Sequence, residues 1–275
     1  MEDTLLFDAG ALAPLFAATH WKPVLRAVCR SWRIVYDTHV THADLSMRPL
    51  TKLLDNSTVL DAARVEVPFA AYQVAGFIPE NMHNVSMLNL AFHSNVRDVS
   101  ALGGVHTLDL RWCDNVSDVS ALGGVHTLNL SYCENVSDVS ALGRVHTLDL
   151  SHCDSVSDVS ALGRVHTVYL SGCDNVRDVS ALGGVHTLYL GGCPLVSDVS
   201  ALGGVHTLDL SRCDNVRDVS ALGGVHALRL VACQGIDDFS ALGRVYTLDI
   251  TWCGEFDYTA LNEERARNGL ELVRT

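Results

Sequence analysis

Val105-His106-Thr107-Leu108-Asp109-Leu110-Arg111-Trp112-Cys113-Asp114-Asn115-Val116-Ser117-Asp118-Val119-Ser120-Ala121-Leu122-Gly123-Gly124 is a twenty-residue unit that recurs almost unchanged along the chain. Copies begin at Val85, Val105, Val125, Val145, Val165, Val185, Val205 and Val225, with a ninth, frayed copy at Val245. So short a unit has too little apolar surface to offset the entropy of ordering it, so copies must stack and share a core. Its apolar residues fall at Val105, Leu108, Leu110, Cys113, Val116, Val119 and Leu122, which fits neither a sustained helical period nor long alternation. Only Thr107 to Arg111 alternates. That segment is expected to be a short strand with Leu108 and Leu110 inward, beside its copy in the next coil, in one parallel sheet of about 4.8 Å spacing.

Leu128-Asn129-Leu130 within V-x-x-L-x-L-x-x-C-x-x-V resembles the cysteine-containing leucine-rich repeat. Asp118-Val119-Ser120-Ala121-Leu122 looks like the D-I-x-x-L returning segment of short, internalin-like repeats. The resemblance implies an α/β solenoid: a curved parallel sheet with strands on the concave side, short 3₁₀ turns on the convex side, and a helical segment before it. The motif is specific because it recurs in register.

The ends differ from the array. Five of the six prolines precede residue 84 and Pro194 alone interrupts the repeats, placing a boundary near Asn84. Ala43-Asp44-Leu45-Ser46 and Arg64-Val65-Glu66-Val67 read as degenerate strands of the same type. Thr259 to Asn268 reads as a helix closed by Gly269, followed by a last strand at Leu270-Glu271-Leu272-Val273. Such caps keep a core edge from water. The organisation is a helical segment at 1–40, degenerate repeats at 41–84, the period-20 array at 85–255 and a helix-and-strand cap at 256–275.

Residues 5 to 36 have helical apolar spacing, broken around Trp21-Lys22-Pro23, so two or three short helices are expected. Val24 to Arg33 resembles the C-terminal half of an F-box, whose V-C-x-x-W-R signature is matched at Val28, Cys29, Trp32 and Arg33. The family's opening Leu-Pro-x-Glu is replaced by Leu5-Leu6-Phe7-Asp8. The resemblance implies docking on the adaptor subunit of a cullin-type ubiquitin ligase through Leu12, Leu15, Phe16, Trp21, Pro23, Leu25, Val28 and Trp32. The other reading is that these helices only cap the solenoid.

Thirty-two acidic and nineteen basic residues give a formal charge of -13, and only Lys22 and Lys52 are lysines. Nucleic-acid binding needs a cationic face and is not expected. Met1-Glu2-Asp3 lacks a basic lead into an apolar run, and no apolar run approaches the roughly 20 residues that span a bilayer, so the sequence reads as soluble and intracellular, cytoplasmic or nuclear.

Comparison among copies separates scaffold from surface. The cysteine column, Cys113 to Cys253 at every twentieth residue, has His93 in its place in the first copy and contains no C-x-x-C. In-register neighbours have poor disulfide geometry, so buried, reduced thiols are expected. The Asp column, Asp98 to Asp238, is expected to cap each outer turn as its N-cap. The His column, His106 to His226, lacks a convergent tetrahedron for zinc and is expected to form a hydrogen-bonded stack of neutral imidazoles. No metal, cofactor or catalytic set is expected, since Ser, His and Asp recur as separate columns without a nucleophile elbow or phosphate loop.

Variation concentrates in two columns read as outward on the strand face. One holds Asp109, Asp149, Tyr169, Tyr189, Asp209 and Arg229; the other holds Trp112, Tyr132, His152, Gly172, Gly192, Arg212 and Trp252. Neutral drift on a solvated face is one reading. The other is a partner-binding surface, because aromatic residues and Arg are enriched in hot spots. Tyr169 and Tyr189 beside Gly172, Gly191 and Gly192 are expected to frame a shallow pocket. Nine coils give a surface about 40 Å long, enough for a standard interface, and 12 basic against 23 acidic residues from 85 to 275 favour a basic protein partner. The expected function is a non-enzymatic recognition module, either a ubiquitin-ligase adaptor or a scaffold without that role.

Overall fold

A computed structural model of the chain describes residues 63–66, 85–254 and 256–273. The F-box-like residues from Leu12 to Trp32 and the strand expected at Ala43 to Ser46 lie outside the described residues. The chain divides between Asn129 and Leu130 into two compact units.

In the first unit, β1 (Ala63–Glu66), β2 (Val85–Asn89), β3 (Thr107–Asp109) and β4 (Thr127–Asn129) pair in order and in parallel. The register advances by one repeat, Leu88 to Leu108 to Leu128. Turns of 3₁₀ helix at Ser100–Leu102 and Ser120–Gly124 carry the chain back. The second unit repeats the scheme through β5 (Thr147–Asp149), β6 (Thr167–Tyr169), β7 (Thr187–Tyr189), β8 (Thr207–Asp209), β9 (Ala227–Arg229) and β10 (Thr247–Asp249). It ends in helix α1 (Thr259–Arg267). The spacing of inward residues produces this packing directly: Val165, Val168, Leu170, Cys173, Val176, Val179 and Leu182 of one coil are all at most 1% exposed. Each such burial is worth about 1.5–3 kcal/mol for the larger side chains.

The repeat strands from β3 onward are three residues long, shorter than the expected Thr107 to Arg111, because the backbone turns sharply after the strand. The residue four places after each inward Leu108-type position has positive φ: Phe92, Trp112, Tyr132, His152, Arg212, Ala232 and Trp252 lie between 57° and 66°, and Gly172 and Gly192 at 71° and 74°. The sequence reading treated this column as an ordinary outward strand position, whereas it is a left-handed turn.

Three recurrent columns each serve a separate purpose. The described thiols are reduced and buried, and they bond across to the preceding coil: Cys173 Sγ donates to the Leu150 carbonyl, Cys193 to Leu170 and Cys213 to Leu190, all at 3.1 Å. Burial pushes the Cys173 thiol up to about 12 and Cys213 to about 11, which removes the thiolate and its reactivity. Asp Oδ1 accepts the backbone N–H of the Ser two residues on at 2.8–2.9 Å, as in Asp158 to Ser160 and Asp218 to Ser220. The N-cap itself is the intervening Val, so the Asp stands one residue before the expected cap and closes an Asx turn. Bonds from the Ser hydroxyl and N–H hold the Asp158 and Asp218 carboxyls below the usual 3.8. The histidines stack face to face, 4.5 Å between His106 and His126, and 4.6–4.7 Å through His146, His166, His186, His206 and His226. Their polar contact is not along the stack, as expected, but from Nδ1 to the Thr hydroxyl of the same coil, 3.1 Å at His166 and 3.3 Å at His206.

At the C-terminal end, Asp257 repeats the Asx device by accepting the Thr259 N–H at 3.0 Å. Gly269 closes α1 at φ 67°, where the Leu270 N–H returns to the Arg265 carbonyl at 2.9 Å. Leu270 to Val273, expected as a last strand, forms none. Asn262 holds Val273 at both its N–H and its carbonyl, and Arg265 Nε donates to the Glu271 carbonyl, so side chains of α1 occupy the backbone groups a strand would need.

Two predictions follow from this backbone. A left-handed residue with a side chain costs roughly 1–2 kcal/mol, and at Gly192 a Cβ would meet nothing nearer than the Gly172 nitrogen at 3.9 Å. Gly192→Ala is therefore expected to lose about 1 kcal/mol and Ala232→Gly to gain a similar amount in urea unfolding; equal midpoints for both variants would remove the strain argument. Desolvation of the stacked rings, then their cationic neighbours, lowers His166 and His206 below 6.5. Below 6.5 the unfolded chain binds protons that the folded chain resists, so this stability is complete above that pH and falls as pH drops through it, while Asp158 and Asp218 stay ionised until pH nears 3.8. The thermal midpoint should thus decline as pH falls below about 6.5, and His166→Gln with His206→Gln should flatten that decline.

Candidate functional site

One variable column lies on the strands and the other in the left-handed turn that follows them, and their side chains are engaged in different ways. In the first unit Asp109 accepts the Arg111 N–H at 3.2 Å and its Nη2 at 2.7 Å, so this carboxylate closes its own turn. Phe92 and Trp112 stack with centroids 6.3 Å apart and remain exposed.

In the second unit Asp149 and Asp209 accept the N–H of Ser151 and Ser211, both at 2.9 Å. Asp209 is 8% exposed. Arg229 spans its two neighbours in the sheet, 3.1 Å from Asp209 and 3.6 Å from Asp249. Three predicted binding carboxylates, Asp109, Asp149 and Asp209, are thus turn-forming groups first. An Asp placed just before the turn, as in Asp109-Leu110-Arg111 and Asp149-Leu150-Ser151, was the signal for this Asx turn.

Tyr169 and Tyr189 replace Asp in two adjacent strands and stack at 4.6 Å with planes 1° apart. Burial, then the neighbouring Tyr189 and Asp149, raises the Tyr169 hydroxyl above 10. The two rings close on each other, so no gap lies between them. His152, itself stacked 4.5 Å from Tyr132, lays its imidazole over Gly172, where a Cβ would collide with it. Only the surface over Gly191 and Gly192 stays uncovered by a ring. Arg212 is exposed, and Trp252 is 78% exposed.

A groove of about 730 Å³ lies instead on the 3₁₀ side, lined by Arg177, Asp198, Asn215, Arg217 and Asp218. Asn215 belongs to a row that hydropathy does not single out: Asn175 Nδ2 donates to the Asp154 carbonyl at 2.7 Å and Asn215 Nδ2 to the Pro194 carbonyl at 2.6 Å. Among the described residues no three His, Cys, Asp or Glu side chains converge on a metal position, and no helix is long and apolar enough to cross a membrane.

No protein-family model matches the sequence, and no curated protein matches it. Solved structures do. An internalin (inlF) from Listeria monocytogenes is 18% identical with a TM-score of 0.50, covering 77% of this chain and 73% of that one. TLR13 in its complex with ssRNA13 is 18% identical with a TM-score of 0.54, covering 82% of this chain and 37% of that one. The functional domain of InlJ from Listeria monocytogenes, described as including a cysteine ladder, is 14% identical with a TM-score of 0.39, covering 88% and 64%. With the twenty-residue register, the parallel strands and the 3₁₀ returns, the fold of this chain is a leucine-rich-repeat solenoid.

Proposed function

We propose that the chain is a non-enzymatic recognition scaffold that binds a protein through the sheet side and the turn column beside it. The observation that carries this reading is the retention of Trp, Tyr, Phe, His and Arg at a backbone position that favours glycine. Trp252 is the sharpest case: it is 78% exposed at φ 61°, and no ring of the described residues stacks on it. Backbone strain kept without a local gain is a mark of a functional surface, and these residue types dominate interface hot spots. The polar columns argue against catalysis, since each Asp, His and Cys row is committed to its own turn, hydroxyl or neighbouring carbonyl. The acidic balance favours a basic partner.

A finer reading, with the array presenting a target to a cullin-type ubiquitin ligase, rests on the Val28, Cys29, Trp32 and Arg33 signature. Pull-down of the full chain with the ligase adaptor subunit tests it: capture that is lost in Trp32→Ala supports the adaptor role, and absence of capture leaves the scaffold reading alone. For the scaffold, proximity labelling with the full chain should return a partner whose affinity drops by at least about tenfold in Tyr189→Ala or Trp252→Ala. Arg177→Ala with Arg217→Ala, on the 3₁₀ side, should leave that affinity unchanged. Equal loss from both sets would remove the assignment of the face.

A further inference from the structure

Each strand of the second unit offers the next one the same three backbone groups. At β8 the His206 carbonyl accepts from the Ala227 N–H at 2.9 Å, the Leu210 N–H donates to the Arg229 carbonyl at 2.8 Å, and the Arg212 N–H donates to the Val231 carbonyl at 2.8 Å. At β9 the same roles fall to His226, Leu230 and Ala232, which meet Thr247, Asp249 and Thr251 at 2.8–2.9 Å. At β10 the corresponding groups are the Tyr246 carbonyl and the N–H groups of Ile250 and Trp252. Among the described residues none of the three has a hydrogen-bond partner.

The C-terminal cap explains why. Helix α1 packs on the last 3₁₀ turn, Ser240–Arg244, and Arg265 Nη1 reaches the Val245 carbonyl at 2.7 Å, so the helix closes that half of the coil. The following tail would have to close the other half, but its backbone is held by Asn262 and Arg265 instead of by β10. A groove of about 350 Å³ separates them, lined by Tyr246, Thr247, Leu248, Arg265, Leu270 and Leu272. Tyr246 is 62% and Leu272 54% exposed.

We infer that the free edge of β10 is a second binding site, which takes an extended peptide segment as an added parallel strand with apolar residues at alternate positions. The sheet itself defines the occupant. Each strand from β5 to β9 is completed by a neighbour with Leu, Val or Ile at alternate positions, running parallel and one register on, and β10 presents the same ladder with none of the described residues on it. Added strands draw affinity from main-chain hydrogen bonds and specificity from alternate side chains; here the alternate side chains would enter the groove beside Leu248 and Leu272. An edge left in this state is otherwise a hazard, because exposed strands pair indiscriminately.

The probe is the seven-residue peptide Val-His-Thr-Leu-Asp-Leu-Ser, which copies residues 205–211. Its Thr N–H would donate to the Tyr246 carbonyl, and its Asp and Ser carbonyls would accept from the Ile250 and Trp252 N–H groups. In the full chain alone, the Ile250 and Trp252 amides should exchange hydrogen faster than those of Leu210 and Arg212, and millimolar peptide should slow them by about tenfold. The same peptide methylated on its Thr nitrogen should give no protection, and Leu272→Asp should weaken binding by about tenfold while leaving exchange at Leu210 unchanged. Ile250 and Trp252 amides already protected in the free chain would overturn the proposal, as would protection by the methylated peptide or none by the parent.

Discussion

Stacking in register governs this protein more than any single contact. Every inward side chain packs against its own copies about 4.8 Å away on either side, so a residue type survives in a column only if it tolerates a neighbour identical to itself. Leu and Val do so by shape, and Cys adds a hydrogen bond from each thiol to the previous coil's carbonyl. Imidazole and phenol rings do so by lying flat on one another, as His166 does on His186 and Tyr169 on Tyr189.

Charge obeys the same constraint. Like charges directly opposite in a sheet repel, and the strand column never repeats a carboxylate in successive copies: Asn89, Asp109, Asn129, Asp149, Tyr169, Tyr189, Asp209, Arg229, Asp249. Arg229, set between Asp209 and Asp249, is the clearest expression of this rule. Part of the variation in that column is therefore electrostatic bookkeeping within the sheet, not a record of partner choice. The Asp column at the 3₁₀ turns repeats in every coil because it is exposed and its carboxyl is held by two donors from the Ser two residues on.

Spacing made the strands, the inward Leu pairs and the buried thiols legible, because each follows from a position that recurs at every twentieth residue. The left-handed turn was not, although Gly172 and Gly192 stood in that column: hydropathy reports which way a side chain points, not the sign of φ. Leu270-Glu271-Leu272-Val273 alternates as a strand should, yet Asn262 and Arg265 outcompete β10 for its backbone, and such competition between side chain and ladder leaves no periodic trace. In the candidate site the variable positions could be named in advance, but their burial and pairing could not. Whether Tyr169 and Tyr189 stand apart or stack, and whether His152 lies over Gly172, depends on rotamers.

The turn column is where fold and function pull apart. Glycine serves the fold best there, two coils carry it, and the other copies in the described chain carry side chains at a cost of roughly 1–2 kcal/mol each. Adjacent coils are close enough to couple, so these costs do not simply add, but together they take several kcal/mol from the array, a large fraction of the net stability of an ordinary domain. Stacking recovers some of this at Tyr132 and His152, whose rings pack on each other. It recovers none at Trp252, where the largest side chain of all stands in water on a strained backbone. Copies that keep their core columns nearly unchanged carry side chains at this one strained position, so under the proposed scaffold function the displayed side chains, rather than the strand carboxylates, are the better guide to a partner.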